Sequence, residues 1–301
     1  MQMKQSNLVQ KSGIPVKSLQ IVKATDKVPF SGLVYDLDSK AYFSHKAANA
    51  SFLKSLCNNS PAKAKALSEV TRKPTAAMQV GTCVHTLVLE PSEFNSRYLV
   101  KELNLRTNAD KEVKAEAEKN GITIIGEDEF EQAKAMRDSV MSHKEARALF
   151  TGGQSEVSMF WTDPTSGAPC KARADYFQPK KRVIADLKTC DDVSNEGISQ
   201  SISKYSYHVQ NAHYLMGARL ITGMDEIDFI FVFVEKSPPY EVRVGRLPMD
   251  VVCFAEATLK PLLRLYQECI TSGFWPGHEQ KIETFELAPW KYKQLTQTDN
   301  Q

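Results

Sequence analysis

The chain has 301 residues, of which 42% are hydrophobic and 25% are charged. This balance is typical of a globular protein and excludes a disordered chain, a collagen and a coiled coil. The longest apolar run, Phe229 to Val234, is too short to cross a bilayer, and the polar first twelve residues lack a secretory signal. The net charge of +2 neither indicates nor excludes a nucleic-acid ligand, because a DNA enzyme needs basic charge only locally.

Six cysteines are present, and no two of them lie closer than sixteen residues apart. This spacing excludes the CxxC pairs of zinc and iron–sulfur sites. Without a secretion signal, we expect reduced thiols, a cytoplasmic location and no membrane partner.

The first half of the chain is predicted to be mainly helical. Residues 1–30 resemble a loosely held arm, and 31–150 form the helical part of one domain. Asn49 and Ser60-Pro61 are typical helix starts within 47–70. Helices are also predicted over 78–90, where Val84, Leu87 and Val88 form an apolar stripe, and over 128–149. The polar segment 101–121 is predicted to be a mobile loop with a short helix over 111–119.

The pattern changes after residue 150, where we expect a catalytic sheet core over 151–272. Strands are predicted over 156–162, 170–177, 182–189, 228–235 and 240–247, and helices over 201–222 and 249–270. The apolar stripe of the helix 201–222 is Ala212, Leu215, Met216 and Leu220. Trp275, Phe285 and Trp290 in the tail 273–301 are expected to pack on the body. The order predicts a single α/β domain, 31–301, with a mixed central sheet flanked by helices.

The strongest chemical signal lies on the second and third predicted strands. Side chains alternate between faces along a strand, so Lys171, Arg173 and Asp175 share one face, as do Asp186 and Lys188. A short turn pairs the strands as a hairpin and brings the two carboxylates together. Such a pair suits Mg²⁺, which takes oxygen ligands and activates a water, while Lys188 adds positive charge beside that water. The alternative is an Asp/Lys salt bridge on an exposed strand edge.

Four further residues have two interpretations each. Gln210 and Tyr214, at i and i+4 on the following helix, are expected to support the carboxylates or bind the DNA backbone with Tyr207, or else to form an ordinary half-buried helix face. His85 is either a metal or phosphate ligand or a packing residue of the helix 78–90. Glu156 is either a further acidic ligand or a solvated residue at a strand boundary.

Four motifs in this order resemble the RecB-type branch of the PD-(D/E)XK nucleases, most closely the RecE-type exonucleases (exonuclease VIII). They are Gly81-Thr82-Cys83-Val84-His85, Arg173-Ala174-Asp175, Ala185-Asp186-Leu187-Lys188-Thr189, and the pair Gln210 and Tyr214. Three further stretches support the likeness: Asn49 to Leu53 with Ser60-Pro61, Leu87 to Phe94, and Thr162 to Asp175. The likeness runs from about residue 35 to 250. Ala174 replaces the proline of the motif name, and many members of this superfamily also lack that proline.

The resemblance implies a restriction-endonuclease-like core and a role for each matching residue. His85, Asp175 and Asp186 would be metal ligands together with the backbone carbonyl of Leu187, Lys188 would be the catalytic lysine, and Gln210 and Tyr214 would support them. The ion would be Mg²⁺, for which Mn²⁺ can substitute.

The resemblance also implies processive 5′→3′ digestion of one strand of linear duplex DNA, which leaves a 3′ tail for recombination and repair. A single-strand annealing recombinase would load on that tail. The chain would form a ring-shaped homo-oligomer, a trimer or tetramer, around the DNA. Enclosure is compatible with the near-neutral charge, since basic residues need only line the channel. Candidate DNA-binding residues are Lys171, Arg173 and Tyr207, with Lys180, Lys181 and Arg182 as either channel residues or a solvated turn.

Two other functions remain open at this point. One is a restriction-type endonuclease on the same scaffold, which would cut closed circular DNA that an end-dependent enzyme leaves intact. The other is a non-catalytic DNA-binding or scaffold protein with a decayed site. No separate target-recognition domain is visible in the sequence, and all the expected site residues are present, which favours the exonuclease.

Overall fold

A computed structural model describes residues 31–70, 73–289 and 291–292. The predicted arm 1–30 and Trp290 lie outside the described residues. The domain boundaries therefore stay a prediction, and the following elements are those of the described ranges.

The N-terminal elements are mostly short helices whose starts follow the predicted capping residues. They are β1 (Gly32–Val34), α1 (Ser39–Ser44), α2 (Ala50–Asn58), α3 (Pro61–Glu69), α4 (Ala76–Leu89) and α5 (Phe94–Arg97). The Asn49 side chain accepts a hydrogen bond from the Phe52 amide at 2.8 Å. Ser60 likewise accepts from the Lys63 amide, and Pro61 occupies the first turn. Both side chains bind amides that have no partner inside the helix, which is why the helices begin there.

The polar segment after α5 is more ordered than the sequence suggests. It contains β2 (Tyr98–Val100), α6 (Asn108–Asn120), β3 (Thr123–Ile125), α7 (Glu127–Ser142) and α8 (Lys144–Leu149). The short helix predicted over 111–119 is confirmed and is longer than expected, because α6 spans Asn108–Asn120 and is capped by Gly121, whose φ of 69° is left-handed. The helix predicted over 128–149 is broken at His143, whose ring nitrogen caps α8 by accepting from the Ala146 amide at 3.2 Å.

The mixed central sheet is confirmed, with the order β1-β4-β5-β6-β7-β8. The further strands are β4 (Gln154–Thr162), β5 (Pro169–Gln178), β6 (Val183–Cys190), β7 (Asp228–Glu235) and β8 (Val242–Gly245). Neighbouring strands are antiparallel except β6 and β7, which run parallel. A parallel pair needs a long crossover, and the helices between β6 and β7 supply it.

That crossover holds two helices where the sequence predicts one. They are α9 (Asn195–Lys204) and α10 (Tyr207–Thr222), and α11 (Met249–Ser272) follows β8. The break falls at Ser206, whose φ of 50° is incompatible with a continuing helix. In the predicted stripe Ala212 and Leu215 are buried, but Leu220 is 46% exposed, because the neighbouring helices cover α10 on other faces as well.

Helices cover both faces of the sheet, and each face has its own apolar core. One core joins α2, α10 and α11 to the sheet through residues such as Leu53, Phe231 and Leu259. The other joins α4 and α7 to it through Val84, Met136 and Leu187. The predicted stripe of α4 is confirmed, since Val84, Leu87 and Val88 are all buried. The sheet therefore holds its central strands between two packed layers.

The tail after α11 only partly follows the prediction. Trp275 packs against Phe52 and Tyr266, with ring centroids 5.5 and 6.1 Å apart. Phe285 is 88% exposed, so the expectation that it packs on the body is wrong. All six cysteines are free thiols. Within the described ranges no helix is both long and apolar enough to traverse a membrane.

Candidate active site

The hairpin of β5 and β6 opens at the two predicted carboxylates. The strands pair from Gln178 with Val183 to Tyr176 with Ala185, and the ladder ends there. The Asp175 carboxylate instead accepts a hydrogen bond from the Leu187 amide at 2.8 Å. Strand β6 keeps its parallel pairing with β7 through this stretch. The opening thus leaves Asp175 and Asp186 beside a gap in the sheet while neighbouring strands hold their backbones.

Asp186 is the most buried member of the site, with 1% of its surface exposed. Its Oδ1 accepts from Gln210 Nε2 at 2.6 Å. Its Oδ2 is also buried and is paired with the Lys188 ammonium, which donates a charge-assisted hydrogen bond to it. Burial raises the pKa of Asp186, and the Lys188 charge opposes this effect.

Lys188 points to the same face as Asp186, where its ammonium also lies 5.2 Å from the centre of the Tyr207 ring. Burial lowers the pKa of Lys188, but the charges of Asp186 and Asp175 outweigh burial and leave this pKa above its usual value. The side chain is therefore a cation, held in place by a carboxylate and an aromatic face.

His85 reaches the site from α4, on the other face of the sheet. Its Nδ1 lies 3.6 Å from Asp175 Oδ2, so the predicted placement beside the carboxylates agrees with the structure. Gly81, one turn earlier, allows this close approach of α4, because a Cβ there would stand 3.2 Å from Thr189 Oγ1. His85 also lines an open cleft of about 1100 Å³ that connects this edge of the site to solvent.

Glu156 lies in the same cleft and has an unusual backbone. The register of β4 with β5 places it opposite Asp175, but that pair is missing from the ladder, and Glu156 has a φ of 50°. A left-handed residue other than glycine interrupts the ladder here, and such residues are common beside functional sites. Burial, followed by the charges of Asp175 and Glu90, raises the pKa of Glu156 to about 8. The side chain is also 32% exposed and lies 3.9 Å from Arg173, so both interpretations of Glu156, acidic ligand and solvated residue, stay open.

The supporting residues on α10 differ in what they contact. Gln210 binds Asp186 directly. Tyr214, one turn later, is buried with its ring edge-on to Phe229 at 5.6 Å. Tyr207 packs against Phe231 and Phe233 beneath Lys188. Tyr207 thus supports the lysine, which differs from the predicted contact with DNA.

Lys171 and Arg173, predicted to bind DNA, face inward with Tyr42. The Lys171 ammonium is 2% exposed and donates to the carbonyls of Tyr42 and His45 at 2.7 and 2.6 Å. The Arg173 guanidinium donates to Ser158, Ser39 and the Leu37 carbonyl, and it stacks 4.3 Å from the Tyr42 ring centre. The structure contradicts the DNA-binding role for Lys171, because its donors are already used inside the protein. Arg173 also lines the open cleft and lies 3.9 Å from Glu156, so its DNA-binding role stays a prediction. We call Tyr42, Lys171 and Arg173 the Tyr42 cluster.

The predicted channel residues on the turn between β5 and β6 are exposed. Lys181 donates to the Ala148 carbonyl at 3.2 Å, and Arg182 lies 3.9 Å from Glu226. Nothing in these contacts separates a channel residue from a solvated turn.

Sequence reasoning missed Lys54, which lies on α2. Its ammonium donates to Gln210 Oε1 at 3.3 Å and lies 5.4 Å from the Tyr207 ring centre. The stretch Asn49 to Leu53 is part of the family resemblance, but Lys54 has no motif-like spacing to residues 156 positions away. Only the packing of α2 on α10 brings them together.

The donors present fit a hard divalent ion. In the part of the chain that the structure describes, no three His, Cys, Asp or Glu side chains form a ready-made metal cluster. Mg²⁺ does not require one, since it is usually held by one or two carboxylates with waters and substrate phosphate. The neighbouring carboxylates of Asp175 and Asp186, which repel each other, supply that donor type. We call Asp175, Asp186 and Lys188 the acidic centre.

A family model described as "PDDEXK-like domain of unknown function (DUF3799)" matches residues 49–288. The chain belongs to this family. No curated protein matches the sequence. The match covers every residue of the acidic centre, and the PDDEXK-like family supports the coarse assignment of a nuclease.

Two solved structures are similar to this PDDEXK-like chain. A provisionally assigned exonuclease from Eubacterium rectale has a TM-score of 0.57 at 16% identity, covering 86% of this chain and 98% of its own. A phage-related exonuclease from Haemophilus somnus 129PT has a TM-score of 0.31 at 12% identity, covering 76% and 97%. The first likeness shows the fold, a restriction-endonuclease-like α/β core, and the second is too distant to support an argument.

Proposed function

We propose that this chain is a Mg²⁺-dependent exodeoxyribonuclease that degrades one strand of linear double-stranded DNA. The observation that carries the proposal is the acidic centre at the opening of β5 and β6. Two carboxylates that repel each other are held together there beside one lysine, so the centre carries more negative charge than its single ammonium balances. This arrangement stores unfavourable electrostatics, which a cation would relieve.

Asp175 and Asp186 would hold the ion, with the Leu187 carbonyl and His85 completing the ligand set. Bound there, the ion supplies positive charge for a phosphodiester and lowers the pKa of a water. Mn²⁺ would substitute, because it accepts the same oxygen ligands.

The protein's own groups then have separate tasks. The Leu187 amide fixes the Asp175 carboxylate, and Gln210 fixes that of Asp186. Lys188 orients the attacking water and stabilises negative charge on the phosphate oxygens, since it is a cation held at the centre. The water oxygen bonds to phosphorus, and the bond from phosphorus to the leaving sugar oxygen breaks.

The proposal also includes the requirement for DNA ends and the direction of digestion, which the chemistry of the acidic centre does not by itself decide. The family resemblance supports processive 5′→3′ digestion, and the Eubacterium rectale neighbour is itself described as an exonuclease. A ring-shaped trimer or tetramer, a cytoplasmic location and delivery of the 3′ tail to a single-strand annealing recombinase complete the proposal. Enclosure of the duplex would give processivity without a strongly basic surface.

One assay tests the main points. The purified chain is mixed with linear duplex labelled at the 5′ or the 3′ end, with Mg²⁺, with Mn²⁺ or with a chelator, and covalently closed circular duplex is the matched control. We expect early release of the 5′ label, persistence of the 3′ label on a shortening strand, and no reaction with chelator. Cutting of the circular DNA would instead support the endonuclease, and intact linear DNA under all conditions would contradict a nuclease.

A further inference from the structure

Lys54 occupies an unusual position for a lysine. It projects from α2 into the contact with α10, where it is half-buried and donates to the neutral amide oxygen of Gln210. Among the described residues no carboxylate lies within ion-pair distance of its ammonium, whereas Lys188, which contacts the same Tyr207 ring, has Asp186. Burial and the charge of Lys188 lower the pKa of Lys54 to about 8. The fold thus keeps a second ammonium at the centre, which feels the charge of Asp186 but forms no direct ion pair with it.

The hydrogen bond from Lys54 favours one orientation of the Gln210 side-chain amide. Gln210 is 6% exposed and uses both ends of its side chain, because Nε2 donates to Asp186 and Oε1 accepts from Lys54. An amide turned by 180° would present its oxygen to the Asp186 carboxylate and its NH₂ group to the ammonium, so both contacts would become repulsive. Lys54 therefore favours the one orientation in which Gln210 donates to Asp186.

We propose that Lys54 is a positioning residue, which acts through Gln210 to hold the Asp186 carboxylate in its working orientation. The inference rests on the proposed nuclease function. It links an N-terminal helix to the acidic centre through the chain Lys54, Gln210, Asp186. Partners bonded directly to a metal-site ligand, as Gln210 is to Asp186, typically contribute about 10- to 100-fold to activity, and Lys54, one contact further away, should contribute at the low end of that range.

The test compares Lys54→Met, which keeps the length of the side chain, with Lys54→Arg, which keeps a donor. Lys63→Met, on the exposed surface of α3, is the matched control for loss of one lysine charge. We expect kcat for linear duplex to fall about tenfold in Lys54→Met with KM nearly unchanged, and to be largely retained in Lys54→Arg and Lys63→Met. Thermal unfolding and circular dichroism verify that each variant is folded.

A double-mutant cycle with Gln210→Ala separates this role from a direct contact with DNA. If Lys54 acts through Gln210, Lys54→Met has no further effect on kcat in the Gln210→Ala background. Wild-type kcat in Lys54→Met, or an undiminished loss in the Gln210→Ala background, would overturn the inference while leaving the nuclease proposal intact. A raised KM in both backgrounds would overturn it in favour of a phosphate contact. Failure of the unmodified protein to cut any DNA would overturn both proposals together.

Discussion

Strand β5 contributes residues to both the Tyr42 cluster and the acidic centre, and the nearest of them, Arg173 and Asp175, are two positions apart. The two groups differ in how their charges are partnered. In the Tyr42 cluster, Lys171 and Arg173 use their donors on carbonyls and hydroxyls inside the protein. In the acidic centre, Asp175 faces a gap between strands, and Asp186 pairs with Lys188 and Gln210. The donors of the Tyr42 cluster are bound to fixed groups of the fold, whereas the two carboxylates of the acidic centre share one ammonium and keep an excess negative charge that a cation can bind.

The largest expected effect comes from removing charge at the acidic centre. In Asp175→Asn the side-chain oxygen can still accept from the Leu187 amide, so the fold is retained, and relief of repulsion with its acidic neighbours leaves stability equal or higher. DNA hydrolysis should fall by a factor on the order of 10³, because positioned charge supplies several kcal/mol of catalysis. Steady-state digestion and urea unfolding measure the two properties, with Asp228→Asn at the exposed end of β7 as control. Near-normal hydrolysis would remove Asp175 from the site.

The opposite result is expected for Lys171→Met, four residues earlier. Loss of the ammonium leaves the carbonyls of Tyr42 and His45 without donors and should lower the free energy of unfolding by about 3 kcal/mol. Urea denaturation measures this change. The hydrolysis rate per folded molecule and the DNA affinity should stay close to those of the unmodified protein. A loss of affinity at full stability would instead restore Lys171 to the DNA-binding surface.

The free energy of unfolding should depend on pH through a buried histidine that contacts the Tyr42 cluster. His213, whose Nε2 lies 3.0 Å from the Lys171 carbonyl, is fully buried, and burial lowers its pKa from 6.5 to about 4. Between pH 4 and 6.5 the unfolded chain binds a proton at His213 that the folded chain does not bind. The free energy of unfolding therefore decreases as the pH falls from about 6.5 to 4. At pH 5 the loss amounts to about 2 kcal/mol relative to pH 7. Urea unfolding at both pH values should show this difference in the unmodified protein and not in His213→Gln. Equal pH dependence of the two would place a water or a further hydrogen-bond acceptor beside the ring, because an acceptor stabilises the protonated imidazolium.

The smallest expected effect concerns His85, at the edge of the acidic centre. Its Nδ1 is 3.6 Å from Asp175, and its ring is partly exposed to the cleft. Calorimetric titration with Mg²⁺ should give about tenfold weaker binding for His85→Ala, as is typical for loss of a neighbouring ligand or its support. Unchanged affinity would make His85 a packing residue of α4, which is the alternative left open by the sequence.

Most of the sheet core was predictable because local pattern and tertiary structure agree there. The alternating segment before the turn at Pro179 and the apolar run Phe229 to Val234 became β5 and β7, with ends within one residue of those expected. The hairpin prediction also brought Asp175 and Asp186 together correctly. The predicted helix 201–222 failed at Ser206, since a left-handed residue other than glycine is maintained by surrounding contacts, here including the Asn58 side chain.

The fold class, the strand positions and the identity of the acidic pair and its lysine could be predicted from the sequence, because periodicity and motif spacing are local properties. Which charged side chains already have their donors bound inside the protein depends on the tertiary structure. Lys171 and Arg173 share a strand face with Asp175, but the packing of Tyr42 and the loops beside it encloses them. Lys54 reaches the centre only because α2 packs on α10. Burial and partnership depend on contacts between residues distant in sequence, and those contacts decide whether a charged side chain stabilises the fold or remains available for chemistry.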